Sequence, residues 1–193
     1  MATTTTAVPR ESDEFQAQAE RWVADFTEGW RAPKGPDAFV EHFSSRLAPD
    51  VRLVQPQLPP VVGLHGFEQR FVRPLFELIP DIRGEVERWA AGGDTVYIEL
   101  TLRGTLGGRP LSWRACDRVT LRDGVAIERE SYFDPGPLIA AIARTPRAWR
   151  KFARLQASSL AARTISSVAT PAKPFSANSP WAAAISASRV ACD

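Results

Sequence analysis

The hydrophobic pattern of this chain changes once along its length, at Pro80, and this change limits the folds open to it. Before Pro80, large apolar residues recur at spacings of three and four, which predicts helices with one buried face. After Pro80, apolar and polar residues alternate, which predicts strands over about 82–91, 95–104, 110–122 and 125–133. The sequence therefore combines a helical first part with a sheet.

Two helices are expected near the start of the chain. The first begins near Ser12, a suitable N-cap, and ends near Gly29. Its buried face is mostly aromatic and comprises Phe15, Ala19, Trp22, Val23, Phe26 and Trp30. The second helix begins around Pro36 and buries apolar residues as far as Leu47, before Pro49 ends it.

The remaining elements follow from the same signals. A short strand is expected over 50–55, because its residues alternate, and a loop is expected over the Pro-rich stretch 56–60. A third helix covers about 66–79. Two short helices are predicted after the last strand, over 138–144 and 147–160.

The connections between the four later strands are too short to hold a crossover helix. They consist of Gly-rich or Asp-Gly turns, and Asp123-Gly124 is a strong hairpin signal. The fold class expected is α+β, with a curved, mostly antiparallel sheet wrapped around three N-terminal helices.

Composition divides the chain into one domain and two flanking segments. Residues 161–193 contain 10 Ala, 6 Ser and 3 Pro, and such a segment buries too little apolar surface to offset its ordering entropy. We expect a disordered stretch over 1–11, a domain over 12–160 and a mostly disordered, flexible tail over 161–193. The chain's net charge of +2 comes entirely from the tail. A neutral domain gives no reason to expect nucleic acid or an anionic membrane as a partner.

Several function classes lack their sequence signatures. No apolar run reaches the 18 or more residues of a membrane span, and the N-terminus lacks the pattern of a secretory signal. Cys116 and Cys192 lie far apart, so a disulfide framework is not expected and the cytoplasm is the default compartment. Glycine-rich phosphate loops, nucleophile elbows and metal-ligand spacings are missing, so neither a cofactor nor a metal is expected.

A set of short motifs resembles the SnoaL-like branch of the nuclear transport factor two-like superfamily over about residues 12–143. The motifs are Leu47-Ala48-Pro49-Asp50-Val51, Gly63-Leu64-His65-Gly66-Phe67, Ile79-Pro80-Asp81, Cys116-Asp117-Arg118, Asp123-Gly124-Val125 and Tyr132-Phe133-Asp134. The resemblance implies a cone-shaped pocket between sheet and helices, and a homodimer formed through the sheet. The superfamily includes polyketide cyclases, ketosteroid isomerase and limonene epoxide hydrolase.

Few catalytic residues of ketosteroid isomerase and limonene epoxide hydrolase have a counterpart in this sequence. Asp117 matches the acid in the oxyanion hole of ketosteroid isomerase. The isomerase's base falls on Gln55 and its phenol on Trp22, so two of three roles are lost. The epoxide hydrolase triad falls on two apolar residues and a hydroxyl, Ile98, Leu100 and Ser131.

The cyclase branch retains more of its chemistry, because its members use an Asp as acid and base on an enol. The candidates here are Asp117 and Asp134. Alternation places Trp113, Ala115 and Asp117 on one strand face, and an apolar pocket there would favour the uncharged acid. Asp134 has a competing interpretation as the cap of the helix that follows it.

We therefore expect an apolar pocket that binds a cyclic small molecule. Its expected substrate-binding residues are Trp22, Phe26, Gln55, Leu100, Leu102, Trp113, Ser131 and Phe133. The function expected is a cofactor-independent enzyme of the isomerase, cyclase or hydrolase type, acting on a polyketide-like or steroid-like compound. The alternatives are a non-catalytic small-molecule-binding protein and a dimerisation module with a vestigial pocket.

The opposite face of the sheet is expected to be polar. Arg114, Arg118 and Arg129 alternate with core positions and are assigned to this solvated or dimer-forming face. Acidic residues on neighbouring strands, Glu99, Glu128 and Glu130, are expected to pair with these arginines.

Overall fold

Helices precede most of the strands, as the change of period at Pro80 predicts. The computed structural model describes residues 11–56 and 58–145, which all fall in one compact unit. Its helices are α1 (Glu11–Arg31), α2 (Pro36–Ser44), α3 (Gly63–Gly66), α4 (Arg73–Leu78) and α5 (Gly136–Ala143), and a π-helical segment, Phe67–Val72, joins α3 to α4. Its strands are β1 (Leu47–Gln55), β2 (Leu58–Val62), β3 (Arg83–Gly92), β4 (Thr95–Leu106), β5 (Arg109–Arg122) and β6 (Val125–Phe133).

The six strands form one curved, unclosed sheet in the order β2-β1-β6-β5-β4-β3. All neighbours are antiparallel except β1 and β6, which run parallel. The α+β cone expected from the sequence is confirmed. The sheet is mixed because β1 lies beside the last strand of the chain, and no local turn signal announces such a long-range pairing.

The hairpin between β5 and β6 follows the Asp-Gly signal. Asp123 and Gly124 have φ values of 52° and 78°. Positive φ at two successive residues is the conformation of the type I′ turn, which matches the right-handed twist of the strands.

Three sequence-based assignments before Pro80 are wrong in detail. Helix α2 ends at Ser44, and Leu47 and Pro49 belong to β1. Pro49 is tolerated there because the ladder between β1 and β6 is interrupted from Leu47 to Arg52. The loop expected over 56–60 is mostly strand β2, whose prolines fit because β2 is an edge strand.

The third helix is one continuous helical stretch with a π-helical segment inside it. The amide of Arg73 donates to the carbonyl of Glu68, five residues back. Pro74 follows directly, and its ring would crowd the carbonyl four residues back in a regular α-helix. The wider π turn relieves this crowding, and such turns are frequent at functional sites.

The core lies between the helices and the inner face of the sheet. Aromatic rings of α1, α2 and the π-helical segment pack edge-to-face and stacked, with centroids 4.6–6.4 Å apart. Among the large side chains buried without exposed surface is one charged residue, Asp117. The inner face of the sheet is therefore apolar except around this carboxylate.

The outer face of the sheet carries a network of ion pairs. Arg118 contacts Glu128 and Glu130 at 3.1 and 2.7 Å, and Arg114 contacts Glu99 at 3.7 Å. These pairs confirm the cross-strand pairing expected for Glu99, Glu128 and Glu130. The assignment of Arg129 to this face is wrong, because its side chain lies on the inner face beside Asp117.

Some sequence-based expectations concern residues outside the described ranges. They are the disordered start over 1–11 apart from its last residue, the helix over 147–160 and the tail over 161–193. None of the helices among the described residues is long and apolar enough to cross a membrane.

Candidate functional site

A cavity of about 100 Å³ lies between the inner face of the sheet and the helices. Most of its wall is apolar: Trp30, Leu58, Phe71, Pro74, Leu75, Leu78, Ile82, Leu102, Trp113, Ala115, Phe133 and Leu138. Its polar lining residues are Gln55, Arg70, Arg129 and Ser131. An apolar wall with a few converging polar groups is typical of a small-molecule site.

Asp117, Arg129 and Ser131 form a hydrogen-bonded cluster at one side of the cavity. Ser131 lies directly opposite Asp117 on the neighbouring strand, and its hydroxyl donates to Asp117 Oδ1 at 2.6 Å. Arg129 lies two residues before Ser131, on the same strand face, and its Nε donates to Asp117 Oδ2 at 2.7 Å. Both carboxylate oxygens are thus occupied, and the Arg129 charge compensates that of a fully buried acid.

Arg129 is itself nearly buried, with 11% of its side chain exposed. Its guanidinium carbon lies 5.3 Å from the ring centroid of Phe71 and 6.0 Å from that of Trp30. These aromatic faces stabilise a desolvated cation. Among the described residues none accepts a hydrogen bond from its two terminal nitrogens, and Arg129 lines the cavity.

Trp113 adds a second donor to the cavity. Its side chain is buried on the inner face of β5, and among the described residues its indole Nε1 has no hydrogen-bond partner. A buried donor without an acceptor is costly to folding. An unpaired donor in a cavity wall is therefore evidence for a ligand acceptor.

Arg70 is the second arginine in the wall and comes from the π-helical segment. The part of the chain that the structure describes offers it no ion pair and no hydrogen-bond acceptor. Phe71, from the same segment, also lines the cavity. A regular helix cannot present two adjacent residues on one face as well as this wider turn does.

The structure brings together five of the eight expected substrate-binding residues in the cavity wall. They are Gln55, Leu102, Trp113, Ser131 and Phe133. The other three, Trp22, Phe26 and Leu100, are buried in the core cluster. Trp22 also donates its indole N–H to the carbonyl of Arg46 at 3.2 Å.

The two candidate acids have different surroundings. Asp117 is buried behind Ser131 with Arg129 as its counter-charge, whereas the sequence analysis expected an apolar pocket that favours the uncharged acid. Asp134 is exposed, and its carboxylate accepts the backbone N–H of Gly136 at 2.8 Å. Asp134 lies one residue before Pro135, the N-cap of α5, so its contact is a local turn hydrogen bond to the first residue of the helix and not the N-cap that its competing interpretation expected.

Sequence reasoning missed both arginines of the cavity. Arg129 has the same parity as Ser131 and Phe133, so strict alternation along β6 would have placed it on the inner face. Arg70 had no usable signal, since helical periodicity assumes a regular turn. Among the described residues, no group of three His, Cys, Asp or Glu side chains is arranged to hold a metal ion.

Comparison with protein families agrees with this fold. Residues 19–129 match the SnoaL-like domain family. This match covers more than half of the chain, and the chain therefore belongs to that family. The resemblance found in the sequence motifs is confirmed. No curated protein matches this chain at a significant level.

Solved structures with the same fold are similar over nearly their whole length. A protein from Jannaschia sp. CCS1 named as a SnoaL-like polyketide cyclase is 23% identical, with a TM-score of 0.57 over 72% of this chain and 97% of its own. TerC, co-crystallised with polyporic acid, is 23% identical, with a TM-score of 0.57 over 65% and 98%. An LEH-like epoxide hydrolase from M. tuberculosis is 17% identical, with a TM-score of 0.53 over 69% of this chain and 95% of its own.

Proposed function

We propose that this chain is a cofactor-independent SnoaL-like enzyme that moves a proton on a small, apolar cyclic compound carrying a carbonyl or enol oxygen. The observation that carries the proposal is the 2.6 Å hydrogen bond from the Ser131 hydroxyl, in the cavity wall, to the buried carboxylate of Asp117. A hydroxyl in this position connects the cavity to a base that no ligand can touch directly.

The proton transfer has a complete path in these residues. The C–H bond next to the ligand's carbonyl breaks, and its electron pair forms the enolate. The proton passes to Ser131 Oγ while the hydroxyl proton of Ser131 passes to Asp117 Oδ1. Return of the proton to the same carbon, or to another one, completes an exchange or an isomerisation.

The Arg129 guanidinium stabilises the negative charge during this step. Before the reaction its charge is balanced by Asp117, and after the transfer Asp117 is neutral and the enolate carries the charge instead. Total charge beside the guanidinium is unchanged, so the desolvated cation is never left without a partner. Preorganised stabilisation of this kind is a major part of enzymatic catalysis.

The cavity volume indicates the size of the ligand. A cavity of about 100 Å³ is smaller than the apolar cavities of about 150 Å³ that bind benzene, so it encloses at most one aromatic ring. A polyketide-like or steroid-like compound would therefore enter by one ring. The polyporic acid bound by TerC supports a small molecule as ligand. The cyclase and epoxide hydrolase names of other relatives support an enzyme.

A non-catalytic small-molecule-binding protein is the second candidate. Among the described residues that line the cavity, none is Asp, Glu, His, Cys, Lys or Tyr. In that case Asp117 only positions Arg129, which binds the ligand without chemistry. A dimerisation module with a vestigial pocket predicts neither ligand binding nor turnover.

Acetophenone, a one-ring ketone, separates these candidates. An enzyme of the proposed type catalyses exchange of its methyl protons with D₂O, which proton NMR follows directly. Asp117→Asn preserves the shape of the side chain but cannot accept the proton, so it should abolish catalysed exchange while acetophenone still binds. Ser112→Ala, on the exposed face of β5, is a control that should leave exchange unchanged.

Each combination of acetophenone binding and proton exchange favours a different candidate function. Binding by the wild type without catalysed exchange contradicts the enzyme and favours the binding protein. Absence of both binding and exchange leaves the dimerisation module. Exchange that survives in a folded Asp117→Asn variant contradicts the assigned proton path.

A further inference from the structure

The cavity contains hydrogen-bond donors that have no acceptor of their own. They are the indole N–H of Trp113, the guanidinium of Arg70 and the terminal nitrogens of Arg129, within the part of the chain that the structure describes. Arginine and the indole N–H donate only, and neither can accept a hydrogen bond. Of these donors the Trp113 N–H is the one that is fully buried without a partner, while Arg70 is half-buried, and acceptors on a ligand would satisfy all three.

The charge of the cavity wall is also one-sided. Asp117 balances Arg129, whereas Arg70 has no acidic partner among the described residues. The described lining contains no carboxylate, so one positive charge is left over beside an apolar wall. Such a charge lowers the cost of burying an anion and raises that of burying a cation.

We propose that the ligand carries a planar oxyanion of the carboxylate type on its ring, with Arg70 as the counter-charge and the Trp113 N–H as donor to a ligand oxygen. This inference rests on the proposed function for the reacting carbonyl, which Arg129 holds, and adds a second anchor. The substrate class is then an acidic ring compound, rather than a neutral polyketide or steroid. The planar fork of arginine suits carboxylate geometry.

The local backbone explains how Arg70 reaches this position. Arg70 lies in the π-helical segment, one turn before Pro74, and Phe71 beside it supplies a wall of the same cavity. The segment thus places a cation and an aromatic ring next to each other. This pairing suits an aromatic acid, whose ring and charge are also adjacent.

Benzoate and benzamide test the proposal, because they share a ring and a shape but differ in charge. Titration calorimetry on the full chain should give a benzoate affinity about tenfold higher than that of benzamide, as expected for a charge-assisted contact. Arg70→Gln should remove this preference and leave the benzamide affinity unchanged. Arg122→Gln, an exposed arginine outside the cavity, is the matched control and should behave as the wild type.

Trp113→Phe should weaken both probes to a similar degree, since each has a carbonyl oxygen. The proposal is overturned if the wild type binds benzoate and benzamide with equal affinity, or binds neither probe. It is also overturned if Arg70→Gln lowers the affinities of both probes by the same factor. An equal loss of benzoate affinity in Arg122→Gln and Arg70→Gln would also overturn it, because the preference for benzoate would then depend on the net charge of the protein and not on Arg70. Exchange of neutral acetophenone does not depend on this anchor, so the proposed function succeeds or fails separately.

Discussion

Arg129 Nε lies 2.7 Å from Asp117 Oδ2, although the two residues are not opposite each other in the sheet. Arg129 is paired in register with Val119, and Asp117 with Ser131. The arginine side chain therefore runs along the inner face to reach the carboxylate diagonally. This diagonal contact brings a cation, a buried base and a hydroxyl to one side of an apolar cavity.

Removal of the buried charge should cost more stability than removal of an exposed one. Asp117→Asn leaves Arg129 nearly buried without its counter-charge, so we expect a loss of about 3–5 kcal/mol in the free energy of unfolding. The control is Glu99→Gln on the outer face, where the loss should stay below about 1 kcal/mol. Urea unfolding measures both, and equal losses would contradict the role assigned to Arg129.

Close packing around Gly104 should make this position intolerant of a side chain. A Cβ atom on Gly104 would overlap Cγ2 of Ile79, which has no exposed surface. We expect Gly104→Ala to destabilise the fold by about 1–3 kcal/mol. Gly92→Ala is the control, since its Cβ would meet nothing within 4 Å. A neutral Gly104→Ala substitution in thermal unfolding would contradict this packing.

Tyr132 should make stability sensitive to alkaline pH. Partial burial of the phenol, together with its hydrogen bond to Glu130, raises the pKa of Tyr132 from 10.0 to about 12, although the residue as a whole keeps 43% of its surface exposed. Because the folded pKa lies above the unfolded one, the contribution is complete below pH 10 and is lost as pH rises towards 12. Absorbance titration should show one tyrosine ionising near pH 12, and Tyr132→Phe should remove that transition. A transition near pH 10 for Tyr132 would contradict its surroundings.

A homodimer formed through the outer face of the sheet remains a prediction. Light scattering should give about twice the chain mass of 21.2 kDa. Tyr132 is 43% exposed on this face, so Tyr132→Glu should shift the protein towards the monomer. Ile139→Glu, equally exposed but on α5, should not. A wild-type monomer at micromolar concentration contradicts the prediction.

The strands and helices were largely predictable because each has its own hydrophobic period. Strand β2 was missed because its prolines read as a loop, and only its position at the sheet edge makes them compatible with a strand. The parallel neighbours β1 and β6 lie more than 70 residues apart in the chain, so no local signal connects them. Local sequence patterns thus predict the fold class, but they do not predict the order of the strands in the sheet.

The candidate site was predictable in part for the same reason. Alternation identified Trp113, Asp117, Ser131 and Phe133 as inward-facing, and the same rule applied to β6 would have added Arg129. Arg129 was instead grouped with Arg114 and Arg118 as a residue that alternates with core positions, although its own strand gives it the parity of Ser131. A buried arginine is recognisable only with its partner, and the diagonal contact to Asp117 exists only in the assembled sheet.

The most direct test of the account is the rate of deuterium exchange into acetophenone, measured with Ser131→Ala at saturating ketone. This substitution removes the hydroxyl between the cavity and Asp117 but keeps the Asp117–Arg129 pair. We expect a rate about 100-fold below that of the wild type, with the acetophenone affinity unchanged. A Ser131→Ala variant that exchanges protons as fast as the wild type would contradict it.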